Sequence, residues 1–423
     1  LLTSSTGRGK TRFDTLLLWV HLKTYSVLEF GRINYENVAY FNFETNPKLN
    51  RTFEENISPD YLIPILSHIS GQTIVKEKTL IIFDEVQLCE RALTSLKYFC
   101  EDAPDYHIIV AGNLLGVAVN RAKFSFPVGK VDMKTMYPMD MEEFMIAMGE
   151  EKLATQVRQC FETNTAMPSA LHDAAMQLYR QYLVVGGMPE CVLQFAQTRD
   201  YILIRNTQDT ILASYLNDMS KYNNLNEIKK TRLAYDNITV QLSKKNTRFQ
   251  YKLIKKGGRA SEFENAIEWL CISGIVSQVY RIEQIKKPLE NYRDIDAFKI
   301  YVSDLGLLCA KKDLAANDIL YMAEELNDFK GGMAENYVNV QLSINGYHTY
   351  YWESARGAEI DFVIQRNEQL IPIEVKSADN TRAKSLKVYM ETYDPEYAIK
   401  LSAKNFAFED NKKTVPLYAA FCI

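Results

Sequence analysis

Residues 79–87 read TLIIFDEVQ: an apolar run that ends on two adjacent acids, Asp84 and Glu85. An unbroken apolar stretch of strand length predicts a β-strand buried on both faces. Both carboxylates then stand at its carboxyl end, where Asp84 would hold Mg²⁺ through water and Glu85 would orient and deprotonate an attacking water. Working outward, NVAYFNFE (37–44) and HIIVAGN (107–113) read as further buried strands, while SPDYLIPILSHIS (58–70) and RALTSLKYFCED (91–102) carry helical periodicity. Apolar strands alternating with helices predict a parallel sheet with helices on both faces. The strand HIIVAGN ends at Asn113, whose polar side chain would reach between the acidic strand and a γ-phosphate.

Such a strand end needs a phosphate-binding loop and a lysine, and the amino-terminal region has two Lys-Thr pairs. Ser4 to Thr11, SSTGRGKT, nearly fits G-x-x-x-x-G-K-[ST], with Gly7, Gly9, Lys10 and Thr11 in place and Ser4 where the first glycine belongs. Little precedes it to form the required strand. Lys23-Thr24 has the opposite balance: TLLLWV (15–20) before it reads as a strand and YSVLEFGR (25–32) after it as a helix. Only His21 and Leu22 separate that strand from the lysine, and two residues cannot wrap a triphosphate. The architecture favours Lys23 for the phosphates and Thr24 for Mg²⁺, with Lys10 and Thr11 as the alternative. The corollary is that loop residues are missing between Val20 and Lys23. ATP and Mg²⁺ are the expected cofactors, with GTP not distinguished.

A second constellation lies in GAEIDFVIQRNEQLIPIEVKS (357–377). Asp361 sits in one strand, QRNEQ turns, and LIPIEVK returns as its partner. Glu374 and Lys376 are two apart and so share one face of the strand. Asp361 and Glu374 would meet across the hairpin as a two-carboxylate Mg²⁺ seat beside Lys376, the chemistry of phosphodiester hydrolysis. Glu335, in helical GGMAENYVNVQLSI (331–344), is a further candidate ligand. The alternative is a salt-bridged structural hairpin without activity.

The chain has 423 residues and a net charge of −4, which predicts several domains and an ordinary globular composition. Between Lys221 and Arg259, however, eleven Lys or Arg face only Glu227 and Asp236. That is a candidate DNA contact, centred on 244–259, or else a solvated helical face. Seven cysteines without a CxxC pair argue against a zinc site and predict free thiols in a reducing compartment. No apolar run has membrane-spanning length, and the opening residues lack a secretory apolar core, so a cytoplasmic protein is expected.

Taken together, LKTYSVLEFG, VAYFNFE, LIIFDEVQ, SFPVGKVDMKTMYPMDMEEF, YLVVGGMPECV, YVSDLGLL, GAEIDFVI and IPIEVKS resemble the bacterial and archaeal AAA-type ATPases that carry a carboxyl-terminal domain of unknown function 4143. The resemblance implies a glycine-rich loop ending at Lys23-Thr24, Asp84 and Glu85 as metal and water-activating acids, and Asn113 as a polar sensor. The stretch 240–279 resembles a winged helix, with Lys244, Lys245, Arg248, Lys252, Lys255, Lys256 and Arg259 facing phosphates. The carboxyl-terminal pattern resembles the PD-(D/E)XK nuclease fold, with Asp361, Glu374 and Lys376 at the matching positions. The expected organisation is a P-loop ATPase domain over 1–150, a helical lid or linker over 151–220, a winged-helix-like domain over 221–285 and an α/β nuclease-like domain over 286–423. Two functions follow: an ATP-driven enzyme acting on nucleic acid, or a regulatory ATPase whose last domain is an inactive protein-interaction module. An open basic groove around Asp361, Glu374 and Lys376 favours the first; burial and pairing of these residues favours the second.

Overall fold

A computed structural model of the chain describes residues 2–3, 22–112, 129–221, 225–242, 248–377 and 384–423. It divides into two compact units, Leu1–Met136 with Ile272–Gly274 and Tyr137–Cys271 with Ile275–Ile423. Gly7, Gly9, Lys10, Thr11 and Asn113 lie outside the described residues, as do the strand expected at 15–20 and the break expected between Val20 and Lys23.

The first unit contains β1 (Leu2–Thr3), α1 (Leu22–Asn34), β2 (Asn37–Asn42), α2 (Lys48–Glu55), α3 (Pro59–Ser70), β3 (Thr79–Asp84), α4 (Glu90–Asp102), β4 (His107–Val110) and β5 (Asp132–Met133). The sheet order is β2-β3-β4-β1-β5. β2, β3 and β4 are parallel, whereas β1 runs antiparallel to both β4 and β5. The expected parallel sheet thus comprises β2, β3 and β4, and the two-residue β1 adds an antiparallel pairing between β4 and β5.

Alternation along β3 decides what each face meets. Ile81 and Phe83 point to the side covered by α2, α3 and α4, where Phe53, Leu62, Leu66, Leu96 and Phe99 pack against them. Leu80 and Ile82 point to the other side, against Val27 and Leu28 of α1. Burying side chains of this size stabilises by roughly 1.5–3 kcal/mol each. The same alternation carries Asp84 to the α1 face, and along β2 it carries Tyr40 and Asn42 there too. Gly31 lets α1 lie close on the sheet, because a Cβ at that position would come within 2.6 Å of Val38 Cγ2. Sequence signals end α3 cleanly, with Pro59 in the first turn and Gly71 left-handed at φ 67° after the last.

The second unit is built on an eight-stranded sheet, in the order β12-β13-β11-β10-β9-β8-β6-β7. Its strands are β6 (Val276–Ile282), β7 (Arg293–Val302), β8 (Tyr350–Glu353), β9 (Glu359–Arg366), β10 (Gln369–Val375), β11 (Ala398–Ser402), β12 (Ala407–Glu409) and β13 (Lys412–Pro416). β9 and β10 form an antiparallel hairpin around a turn that holds Asn367 at φ 53°. β10, β11 and β13 are mutually parallel. β6 pairs antiparallel with β7 and parallel with β8, so one sheet takes strands from both sides of residue 285.

The helix Asn327–Ile344 is pinned to this sheet through buried Asn336. Its Oδ1 accepts the Val302 N–H at 2.7 Å and its Nδ2 donates to the Val302 carbonyl at 2.7 Å, standing in for a neighbouring strand where β7 ends. Glu335 is thereby set beside Lys299 and Tyr301 of β7.

Three of the stretches quoted above meet elsewhere in this unit. Buried Asp304 accepts Leu307 N–H at 2.8 Å and Gly187 N–H at 2.7 Å, while Met139 N–H donates to the Gly187 carbonyl at 2.7 Å. Gly186 has φ 76°, and a Cβ at Gly187 would lie 2.1 Å from the Met139 carbonyl oxygen, so the pair is required by close backbone approach.

Candidate nucleotide site and the second acid cluster

Thr24 opens the first turn of α1, and its Oγ1 donates to Asp84 Oδ2 at 2.8 Å, across 60 positions of sequence. The Lys23-Thr24 pair and the acidic strand end therefore stand together at one edge of the sheet. Asp84 is only 4% exposed. The side-chain donors on Oδ2 are Thr24, the Tyr40 hydroxyl at 2.6 Å and Asn42 Nδ2 at 3.4 Å, while the Glu85 N–H donates to Oδ1 at 3.0 Å. Each of these donors is electrically neutral. Burial and the hydrogen bond to Asp84 push the Tyr40 phenol up to about 12, which keeps it a donor at neutral pH.

Glu85 leaves the strand in the left-handed region, at φ 52°. A non-glycine residue there carries backbone strain of order 1–3 kcal/mol, and such strain clusters at functional sites. Val86 behind it is fully buried, and its N–H bonds the Ala111 carbonyl, anchoring the turn. The Glu85 carboxylate accepts from Gln87 Nε2 and stays partly accessible.

Tyr40 and Asn42 were not among the sequence candidates. Their signal is the register, which pairs Asn42 with Asp84 at the ends of two parallel strands. Asn42 Oδ1 accepts the N–H groups of Glu44 and Thr45 at 2.9 Å each, which aims its amide nitrogen at Tyr40 and Asp84.

A cation and a triphosphate fit this edge. The buried carboxylate, a hydroxyl on the first turn of a helix and the helix amino terminus match the hard oxygen donors and anion-binding amides that Mg²⁺ and phosphate use.

The second cluster is closed by contrast. Asp361 and Glu374 are 8% and 3% exposed. Asp361 Oδ2 accepts the Val375 N–H at 2.7 Å, just past the last paired residues of the hairpin. Glu374 Oε1 pairs with Lys376 Nζ at 2.8 Å, while its Oε2 is buried without a hydrogen-bond partner. Lys299, fully buried, places its ammonium 2.5 Å from Glu359, 3.5 Å from Glu335 and 4.0 Å from Asp361. The Tyr301 hydroxyl donates to Glu335 at 2.9 Å.

Burial alone would lower the Lys299 pKa, but Glu335, Tyr301, Glu359 and Asp361 outweigh it and hold the ammonium charged. Burial and Glu335 push Asp361 up to about 7 against the opposing pull of Lys299 and Lys376. Among the described residues no group of three or more His, Cys, Asp or Glu is arranged to hold a metal ion, so Glu335, Asp361 and Glu374 do not form a ready three-ligand seat. Lysine ammoniums stand against these acids instead.

In the basic stretch, Lys244 and Lys245 lie outside the described residues. Lys255 pairs with Glu262 at 3.0 Å and Arg248 donates to the Asp296 carbonyl, while Lys252, Lys256 and Arg259 are exposed. All seven cysteines are free. Among the described residues no helix is long and apolar enough to cross a membrane.

Comparison with known proteins divides the chain in three. Residues 23–145 match the model of an AAA domain, 176–318 a domain of unknown function (DUF8612), and 330–420 a second domain of unknown function (DUF4143). No curated protein matches the chain. A solved structure, the Walker-type ATPase Paby2304 of Pyrococcus abyssi, is 11% identical with a TM-score of 0.38, covering 69% of this chain and 95% of that one. The AAA match begins at Lys23, so it includes Lys23-Thr24 and excludes Lys10-Thr11. The chain thus joins a segment similar to AAA domains to one similar to the domain of unknown function 4143.

Proposed function

We propose that the protein is an ATP-hydrolysing AAA-type ATPase whose nucleotide site lies at the carboxyl ends of β2 and β3 and the start of α1. The carrying observation is the 2.8 Å bond from Thr24 Oγ1 to Asp84 Oδ2, which joins the two halves of a triphosphate site. In this reading Lys23 binds the phosphates, Thr24 and Asp84 hold Mg²⁺, and Glu85 orients the attacking water and takes its proton. Mg²⁺, when bound, neutralises charge on the phosphates. Asn113 is assigned to the polar sensor position.

The test is ATP turnover by the full chain, with and without DNA, for the wild type, Asp84→Asn and Glu85→Gln. Mg²⁺-dependent turnover lost in both variants is expected. Wild-type turnover equal to that of both variants refutes the proposal.

For the second unit we propose a PD-(D/E)XK-like scaffold that serves as an interaction module. The position of Lys299 among Glu335, Glu359 and Asp361 favours this over cleavage, because the cation those acids would recruit is already covalently part of the chain. DNA incubated with the protein and Mg²⁺ or Mn²⁺ should stay intact. Cutting that disappears in Asp361→Ala would overturn this reading and restore a DNA-cleaving role. Binding through 244–259, if it occurs, should fall steeply with salt.

A further inference from the structure

We infer that Tyr40 and Asn42, on the strand beside Asp84, are positioning residues that hold the metal-binding carboxylate in the orientation a cation requires. The inference rests on the nucleotide-site reading above. A carboxylate oxygen offers about two lone-pair directions. Asp84 Oδ2 nevertheless faces three side-chain donors: Thr24 at 2.8 Å, Tyr40 at 2.6 Å and Asn42 at 3.4 Å. One of them can therefore leave without stranding the oxygen.

The three donors are not equivalent. Thr24 rides on α1, and its hydroxyl can turn a lone pair toward a cation. Tyr40 and Asn42 belong to β2, hydrogen-bonded to β3 in parallel register, with Asn42 directly opposite Asp84. They keep their places when Thr24 turns.

The β2 pair is itself braced. Asn42 Nδ2 also donates to the Tyr40 hydroxyl at 3.2 Å, and its Oδ1 is tied to the Glu44 and Thr45 N–H groups at 2.9 Å each. The loop after β2 thus fixes the amide, the amide steadies the phenol, and both hold the carboxylate. Partners of this kind, one bond removed from the ion, commonly carry 10–100-fold in metal affinity.

The experiment measures binding rather than turnover. A fluorescent ATP analogue is titrated onto the full chain with and without Mg²⁺, and the ratio of the two affinities is compared among the wild type, Tyr40→Phe, Asn42→Ala and Tyr61→Phe. The last removes an exposed hydroxyl bonded to Glu55 and serves as control.

For Tyr40→Phe a roughly tenfold or greater loss of the Mg²⁺ enhancement is expected, with metal-free affinity within twofold of the wild type. Asn42→Ala should follow in the same direction, and it decides the matter if Tyr40→Phe does not fold. An unchanged Mg²⁺ enhancement in the folded variants overturns the inference while leaving the ATPase reading intact. Absence of any Mg²⁺-enhanced binding in the wild type overturns both.

Discussion

The two acid sites treat a buried carboxylate in opposite ways. Asp84 is gripped by neutral donors, a threonine, a tyrosine, an asparagine amide and a backbone N–H. Asp361 and its neighbours Glu335 and Glu359 surround the ammonium of Lys299. At the second cluster a lysine ammonium already stands among the acids, and an arriving metal would have to displace it at the cost of stranding that charge. The two clusters differ in whether the side chains facing each carboxylate are neutral or charged.

This comparison can be broken at both ends. The largest expected effect is catalytic. Glu85→Gln should lower the ATP turnover number by about 10²–10⁴-fold, the range of general-base removal, with ATP binding retained in a filter assay. Loss of binding instead would make Glu85 part of the carboxylate grip rather than the group that handles water.

Lys299→Met should destabilise the second unit by about 3–5 kcal/mol, because it leaves Glu335, Glu359 and Asp361 facing one another without their cation. Denaturant unfolding with a probe in that unit measures it. If Mg²⁺ then restores the lost stability in the variant, the lysine is shown to occupy a metal's place.

A pH effect of roughly 2–4 kcal/mol is expected from Asp361, and its sign is specific. Its pKa is raised from 3.8 to about 7 on folding, so between those values the folded unit binds more protons than the unfolded chain. Stability from this group is fully present below pH 4 and is lost as pH rises through 7. Asp361→Asn, which retains an acceptor for the Val375 N–H, should flatten that fall in unfolding measured from pH 4 to 8. An identical slope in the variant would assign the pH dependence elsewhere, with Asp304, which burial pushes up to about 6, the next group to change.

The smallest effect concerns the platform under the first site. Gly31→Ala would drive a methyl to within 2.6 Å of Val38 Cγ2, so Val38 or α1 itself has to give way, at about 1–3 kcal/mol. Because Thr24 rides on the same helix, the Mg²⁺ enhancement of ATP binding should weaken alongside the melting temperature. A stability loss with unaltered Mg²⁺ dependence would mean that the start of α1 is positioned independently of Gly31.

Reading along the chain located β2, β3, β4 and the acids at the end of β3, because a buried parallel strand announces itself by an unbroken apolar run. It also singled out Lys23-Thr24 through the helix that follows, although the loop before that pair lies outside the described residues. Tyr40 and Asn42 escaped notice because NVAYFNFE shows only a strand, and nothing local says which of its polar residues lands opposite Asp84. Lys299 escaped for a related reason. In FKIYVSD it is one lysine among apolar residues, and its three carboxylate neighbours come from a helix and a hairpin 36 to 62 positions later.

The amino-acid order by itself determined the elements and the chemistry available at their ends, since apolar period and residue type are local properties. Only the tertiary structure decided which charges those ends meet. Strand register, the lie of α1 on its sheet and the helix carrying Glu335 bring together residues far apart in the chain. Electrostatics in a buried site depends on distances of a few ångströms, which sequence separation does not encode.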